Sequence, residues 1–134
     1  MVVLDEQLQG PRIRDAVSQW YPGTVVSVIA LRPGTVIKDD VIPALLGQAA
    51  KPTFVTINES DFWLKVSISM RFCVVCAALP DFRMKEVPDL LRRLPRHPDY
   101  RTKAQRMGFV FRLSGAEANF YSATDPTIRS VENW

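Results

Sequence analysis

The sequence predicts an α/β fold: three layers, α/β/α, around a mainly parallel central sheet, with an antiparallel hairpin at the C-terminal end. Three observations lead there. Short apolar runs rich in β-branched residues recur along the first 80 residues. Helix-length segments separate them, as βαβ units require. Near the C-terminus, two alternating stretches flank Ser114-Gly115 as a hairpin does. A chain of 134 residues fits a single domain, 1–134.

The elements follow in order. Val2–Leu4 reads as a buried strand. Gln7 to Trp20 carries Leu8, Ile13, Val17 and Trp20 near helical spacing, with Pro11 in the first turn and Pro22-Gly23 as the stop. Thr24–Ala30 is the second strand, and Pro33-Gly34 turns the chain. Asp39 and Asp40 open an apolar helix running to about Ala50, with acids at the positive end of its dipole and Pro43 in its first turn. Thr53–Ile57 and Phe72–Ala78 are the third and fourth strands. Val87–Leu94 and Tyr100–Met107 read as short basic helices, and Gly108–Leu113 with Glu117–Ser122 as the hairpin. The tail, Asp125–Trp134, is expected to be loose, with Trp134 able to dock.

Hydrophobic content of 47% with 23% charged residues is that of a globular protein and excludes wholesale disorder. No window approaches the roughly 18 uninterrupted apolar residues of a membrane span. The opening Met1-Val2-Val3-Leu4-Asp5-Glu6 lacks the basic region of a signal peptide, so a cytoplasmic location is expected. The net charge of +3 is unevenly distributed. Residues 1–64 carry five basic and seven acidic side chains, and residues 65–134 twelve and seven. Nine basic groups fall within 83–112: Arg83, Lys85, Arg92, Arg93, Arg96, Arg101, Lys103, Arg106 and Arg112. A basic half beside an acidic half suits an enzyme that acts on a polyanion through a carboxylate-held metal.

The acids of the first half fall where such a metal would be held. Ligands of open parallel sheets gather at the carboxyl ends of the strands. Asp5 and Glu6 follow the first strand, Asp39 and Asp40 open the helix after the second, and Asn58, Glu59 and Asp61 follow the third. If those strands are neighbours, the side chains converge. Hard oxygen ligands suit Mg²⁺ or Mn²⁺, which can neutralise a phosphodiester and acidify a bound water. Helix capping is the competing explanation for Asp39 and Asp40, and Asp61 is also placed to cap a helix beginning at Phe62. Asp5 is harder to dismiss, because an acid closing a buried strand needs a partner.

Val3-Leu4-Asp5-Glu6-Gln7-Leu8, the pair Asp39-Asp40 followed by Ile42, and Phe54-Val55-Thr56-Ile57-Asn58-Glu59-Ser60-Asp61-Phe62 together resemble the acidic blocks of the PIN-like predicted toxin nucleases, relatives of the VapC type. The resemblance covers about residues 1–80. It implies a PIN-like α/β/α fold, Mg²⁺ or Mn²⁺ at the clustered acids, and hydrolysis of RNA phosphodiesters by a toxin of a toxin–antitoxin pair. Carried across, Asp5, Asp40 (or Asp39) and Asp61 are the catalytic acids. Spacing to Ile42 favours Asp39 and spacing to Thr56 favours Asp40. Asn58 stands nearest the family's remaining acid, in a segment one residue longer than usual, and Glu59 is the substitute a small loop shift would bring in. Arg83, Lys85, Arg92, Arg93, Arg96, Arg101, Lys103 and Arg106 would bind RNA. A cognate antitoxin protein and a second copy of the chain are the other candidate partners, and a membrane is not. The neutral Asn58 leaves an alternative: a non-catalytic PIN-like module that binds RNA or protein.

Other features carry less. Cys73-Val74-Val75-Cys76 has zinc or redox spacing, but residues three apart on a strand face opposite ways and the single histidine is distant, which favours buried inert thiols. His97 sits in a basic turn, as a solvated group or a phosphate contact. Phe82, Tyr100, Phe109, Phe111, Phe120 and Tyr121 lie near the basic helices. They read as core, with base stacking the alternative.

Overall fold

The computed structural model describes residues 1–8, 10–32, 34 and 37–134. Seven strands build one sheet: β1 (Val2–Leu4), β2 (Val25–Ser27), β3 (Thr53–Thr56), β4 (Cys73–Ala77), β5 (Phe109–Leu113), β6 (Ala118–Ser122) and β7 (Arg129–Ser130). Their order across the sheet is β2-β1-β3-β4-β5-β6-β7, with β2 through β5 parallel and β6 and β7 antiparallel. The α/β fold with a mainly parallel sheet and a C-terminal hairpin therefore stands. The helices are α1 (Pro11–Ser18), α2 (Ile42–Leu46), α3 (Glu59–Phe62), α4 (Val87–Arg96) and α5 (Lys103–Arg106).

The alternation of side chains along each strand divides the core in two. Leu4, Val55, Cys73, Val75, Phe111 and Leu113 point to the face covered by Ile13 and Val17 of α1 and by Leu90, Leu91 and Leu94 of α4. Val3, Phe54, Val74, Cys76 and Val110 point to the other, covered by Ile42 and Leu46 of α2 and Phe62 of α3. The two cysteines thus lie on opposite faces, both buried and free, and burial pushes each thiol up to about 12. They are inert packing groups. Among the described residues, no helix is long and apolar enough to cross a membrane.

Several expected elements differ in detail. The first helix does not begin at Gln7. Glu6–Leu8 forms a separate 3₁₀ turn, and α1 starts at Pro11, whose fixed φ suits a first helical position. The second strand stops at Ser27 because that hydroxyl accepts the Ile29 N–H (3.3 Å) and starts a 3₁₀ turn over Val28–Leu31. The long helix expected to reach Ala50 is a 3₁₀ turn, Asp39–Val41, followed by five residues of α2. The two basic helices run Val87–Arg96 and Lys103–Arg106.

The tail is not loose. β7 pairs with β6, Val131 is buried, and Trp134 donates from Nε1 to the Ser114 carbonyl (2.8 Å). His97 is neither solvated nor a phosphate contact. It is buried, donating from Nε2 to the Glu132 carbonyl (2.6 Å) and accepting the Asp99 N–H at Nδ1 (3.2 Å). Tyr100 and Phe111 are buried and pack edge-on, 4.8 Å between centroids, whereas Phe82 is 82% exposed.

Candidate functional site

The strand order places a topological switch point between β1 and β3. From β1 the chain moves outward to β2, then returns to the far side of β1 to lay down β3. The connections leaving the two central strands part there, and a crevice opens at their carboxyl ends. Asp5 closes β1 at this crevice, its N–H bonded to the Val55 carbonyl (2.9 Å) and the residue only 4% exposed. Oδ1 accepts the Glu6 N–H (2.8 Å), and Oδ2 accepts the Thr56 hydroxyl (2.6 Å). Burial raises the Asp5 carboxyl above its ordinary range. The two hydrogen bonds work against that shift, and the charges of Glu6 and Asp61 add to it.

The acids from the next two connections arrive at the same rim. The Asp39 carboxyl is also raised, by burial first, then by the charge of Asp5, a hydrogen bond shared with Asp61, and the charges of Asp61 and Glu6. Asp39, Asp5 and Asp61 are therefore electrostatic neighbours. Asp39 and Asp40 line one open groove of about 400 Å³ with Asp61 and Lys65. Neither acid caps a helix: Lys38 and Val41 hold the cap positions, with no side-chain cap bond. Both lie instead in the first turn of the 3₁₀ segment, where a helix dipole favours acids. Asp61 does not open a helix either, because α3 begins two residues earlier.

Asn58 and Glu59 are used differently. Asn58 caps α3, its Oδ1 accepting the Asp61 N–H (3.3 Å) while its Nδ2 donates to Asp61 Oδ2 (2.7 Å). It fixes the Asp61 carboxylate. Glu59 is paired with Arg112, and with Asn58 it lines a second groove of about 620 Å³ on the other side of α3. Lys65 lines both grooves.

Asp5, Asp39, Asp40 and Asp61 form no ion pair among the described residues. Among the described residues, no ion pair within 4 Å offsets the repulsion among these acids, and carboxylate oxygens are the donors Mg²⁺ and Mn²⁺ prefer. The chemistry of the donor set fits a hard divalent ion. The acids are in electrostatic contact rather than in coordination geometry: among the described residues, no group of three or more His, Cys, Asp or Glu is drawn together as metal ligands.

The basic residues are dispersed. Arg83 and Lys85 follow the carboxyl end of β4, and Arg83 is held by Glu86 (2.6 Å). Arg92 and Arg96 are exposed on α4. Arg93 is structural, donating to the carbonyls of Gly115 (3.0 Å) and Trp134 (2.8 Å) with its guanidinium 4.4 Å from the Trp134 ring centroid. Arg101, Lys103 and Arg106 precede β5 and lie at the amino-terminal rim of the parallel strands, opposite the acids. The sheet does not bring them to Asp5.

Sequence reasoning missed Thr56 and Arg112. Each had a signal. Thr56 is a polar residue ending an apolar strand one position beyond the Leu4–Val55 pairing, which sets it against Asp5. Arg112 interrupts the apolar run Phe109-Val110-Phe111-Arg112-Leu113. Compared with known proteins, the chain matches no family model, no curated protein and no solved structure.

Proposed function

We propose that the protein is a divalent-metal-dependent ribonuclease with a PIN-like fold, acting in the cytoplasm as the toxin of a toxin–antitoxin pair. One observation carries the catalytic part: Asp5, buried at the carboxyl end of β1, has no cationic partner among the described residues, and Asp39, Asp40 and Asp61 line one groove. Ionised carboxylates concentrated in this way destabilise one another unless a cation joins them. Asp5, Asp39 and Asp61 would hold the ion. Mg²⁺ or Mn²⁺ bound there would supply charge neutralisation on a phosphodiester and a more acidic water.

This chain's residues would do the rest. Thr56 and the Glu6 N–H orient Asp5, and Asn58 orients Asp61. Lys65, shared by the two grooves beside α3, is placed to meet an RNA phosphate. Between the two helix acids, the coupling to Asp5 and Asp61 favours Asp39 as the ligand, with Asp40 at the groove wall. The toxin assignment, an antitoxin partner and self-association rest on the resemblance of the acidic blocks alone.

A second reading, a non-catalytic RNA- or protein-binding module, is favoured by the engagement of Glu59 with Arg112 and of Asn58 with Asp61, which leaves three acids for the ion. One experiment separates the two. Cleavage of single-stranded RNA is measured with and without Mn²⁺ for the wild type and for Asp5→Asn. The ribonuclease requires metal-dependent cleavage that falls at least 100-fold in the variant. Cleavage that is absent, or equal in both proteins, eliminates it.

A further inference from the structure

The rim opposite the acids carries an unusual cation. Arg106 is 5% exposed and has no carboxylate partner among the described residues. Its Nη1 donates to the carbonyls of Tyr100 (2.9 Å) and Arg101 (3.1 Å), which fixes the guanidinium plane. Among the described residues, Nε and Nη2 have no hydrogen-bond partner, yet neither is sealed in: Trp20 Nε1 is the one side-chain polar atom both fully buried and unpartnered. A guanidinium held in place by the protein, with its remaining donor edge open to solvent, is preorganised to meet an anion.

Arg106 lines an open groove of about 380 Å³ together with Arg101, Lys103, Trp20 and Tyr21. Lys103 also lines an adjoining groove of about 490 Å³ with Lys51 and Arg71. No carboxylate of the described residues lines either groove. Five cations thus line two grooves that share Lys103 at the amino ends of the parallel strands, roughly 13 Å from the acids across a four-residue strand.

We propose that this rim is a binding site for a phosphate group, with Arg106 as the fixed donor and Arg101 and Lys103 as exposed donors beside it. A guanidinium whose Nη1 is already tied presents Nε and Nη2 as a ready fork for two phosphate oxygens. The phosphate is either free or carried on a single-stranded nucleic acid whose bases meet Trp20. The site does not rest on the metal reading and is tested without metal.

The test uses the full chain in EDTA at constant ionic strength, with chloride as the background anion. Inorganic phosphate and a ten-nucleotide oligouridylate are titrated separately, and backbone amide shifts are followed. The Arg101→Ala/Lys103→Ala double variant alters exposed side chains only, and its thermal midpoint without ligand should match the wild type. Saturable shifts are expected at Trp20, Tyr21, Gly23 and residues 101–106, with affinity at least tenfold weaker in the double variant. Tighter binding of the oligonucleotide identifies a nucleic-acid phosphate, and equal affinity identifies a small phosphate. Arg106→Lys keeps the charge but loses the fork, and should weaken binding in either case. No saturable shift there with either titrant, or equal affinity in wild type and double variant, overturns the proposal.

Discussion

Asp5 concentrates the chemistry of this molecule in one side chain. Its carboxyl is raised by burial and by Glu6 and Asp61, so the native state binds a proton more tightly than the unfolded chain does. Linkage gives the sign. For an acid whose pKa is raised on folding, stability grows as pH falls through the native value toward the unfolded value near 3.9. Wild type should therefore gain stability relative to Asp5→Asn between pH 7 and pH 4.5, by at most about 1.4 kcal/mol per pH unit. Urea denaturation of both proteins at several pH values measures this, and a difference that shrinks as pH falls contradicts it. Asp5 was legible because an acid cannot close a buried strand without a partner. Thr56 was not, because its role exists only once β1 and β3 are neighbours in register. Asn58 was legible as a member of the site, but its use as a cap that steers Asp61 depends on where α3 begins.

Among the elements, those governed by local signals were readable and those governed by tertiary contact were not. The strands and the hairpin carry their own periodicity, so β3, β4, β5 and β6 fall within a residue or two of expectation. The C-terminal segment carries none. Its order comes from distant partners: β6 for β7, and α4 for Trp134 through Arg93. Arg93→Ala removes two hydrogen bonds to carbonyls and the contact with the Trp134 ring. It should cost about 1–3 kcal/mol in urea denaturation, with the tail's amides exchanging faster. A loss below about 0.5 kcal/mol would mean that the tail is held elsewhere. The same logic explains His97, which looks solvent-facing in a basic turn and is buried by Glu132 from the tail.

On the scale of the whole molecule, the sheet separates the acids that follow its first strands from the basic residues that precede its later ones, although Arg83 and Lys85 follow the carboxyl end of β4. Acids that follow parallel strands collect at the carboxyl rim, and basic residues that precede β3, β4 and β5 collect at the amino rim. The uneven charge of the two chain halves was visible in the sequence. Its meaning was not, because adjacency in the chain says nothing about which end of a strand a loop occupies. The acidic rim is the part on which a catalytic role depends, and paramagnetic Mn²⁺ tests it most directly. Substoichiometric Mn²⁺ is added to ¹⁵N-labelled protein at pH 7, and the broadening of each amide is read. Selective loss of the Glu6, Asp39–Val41 and Thr56–Phe62 signals is expected in wild type, with that loss largely abolished in Asp5→Asn. Uniform weak broadening, or the same pattern in both proteins, would contradict a cation site at the switch point.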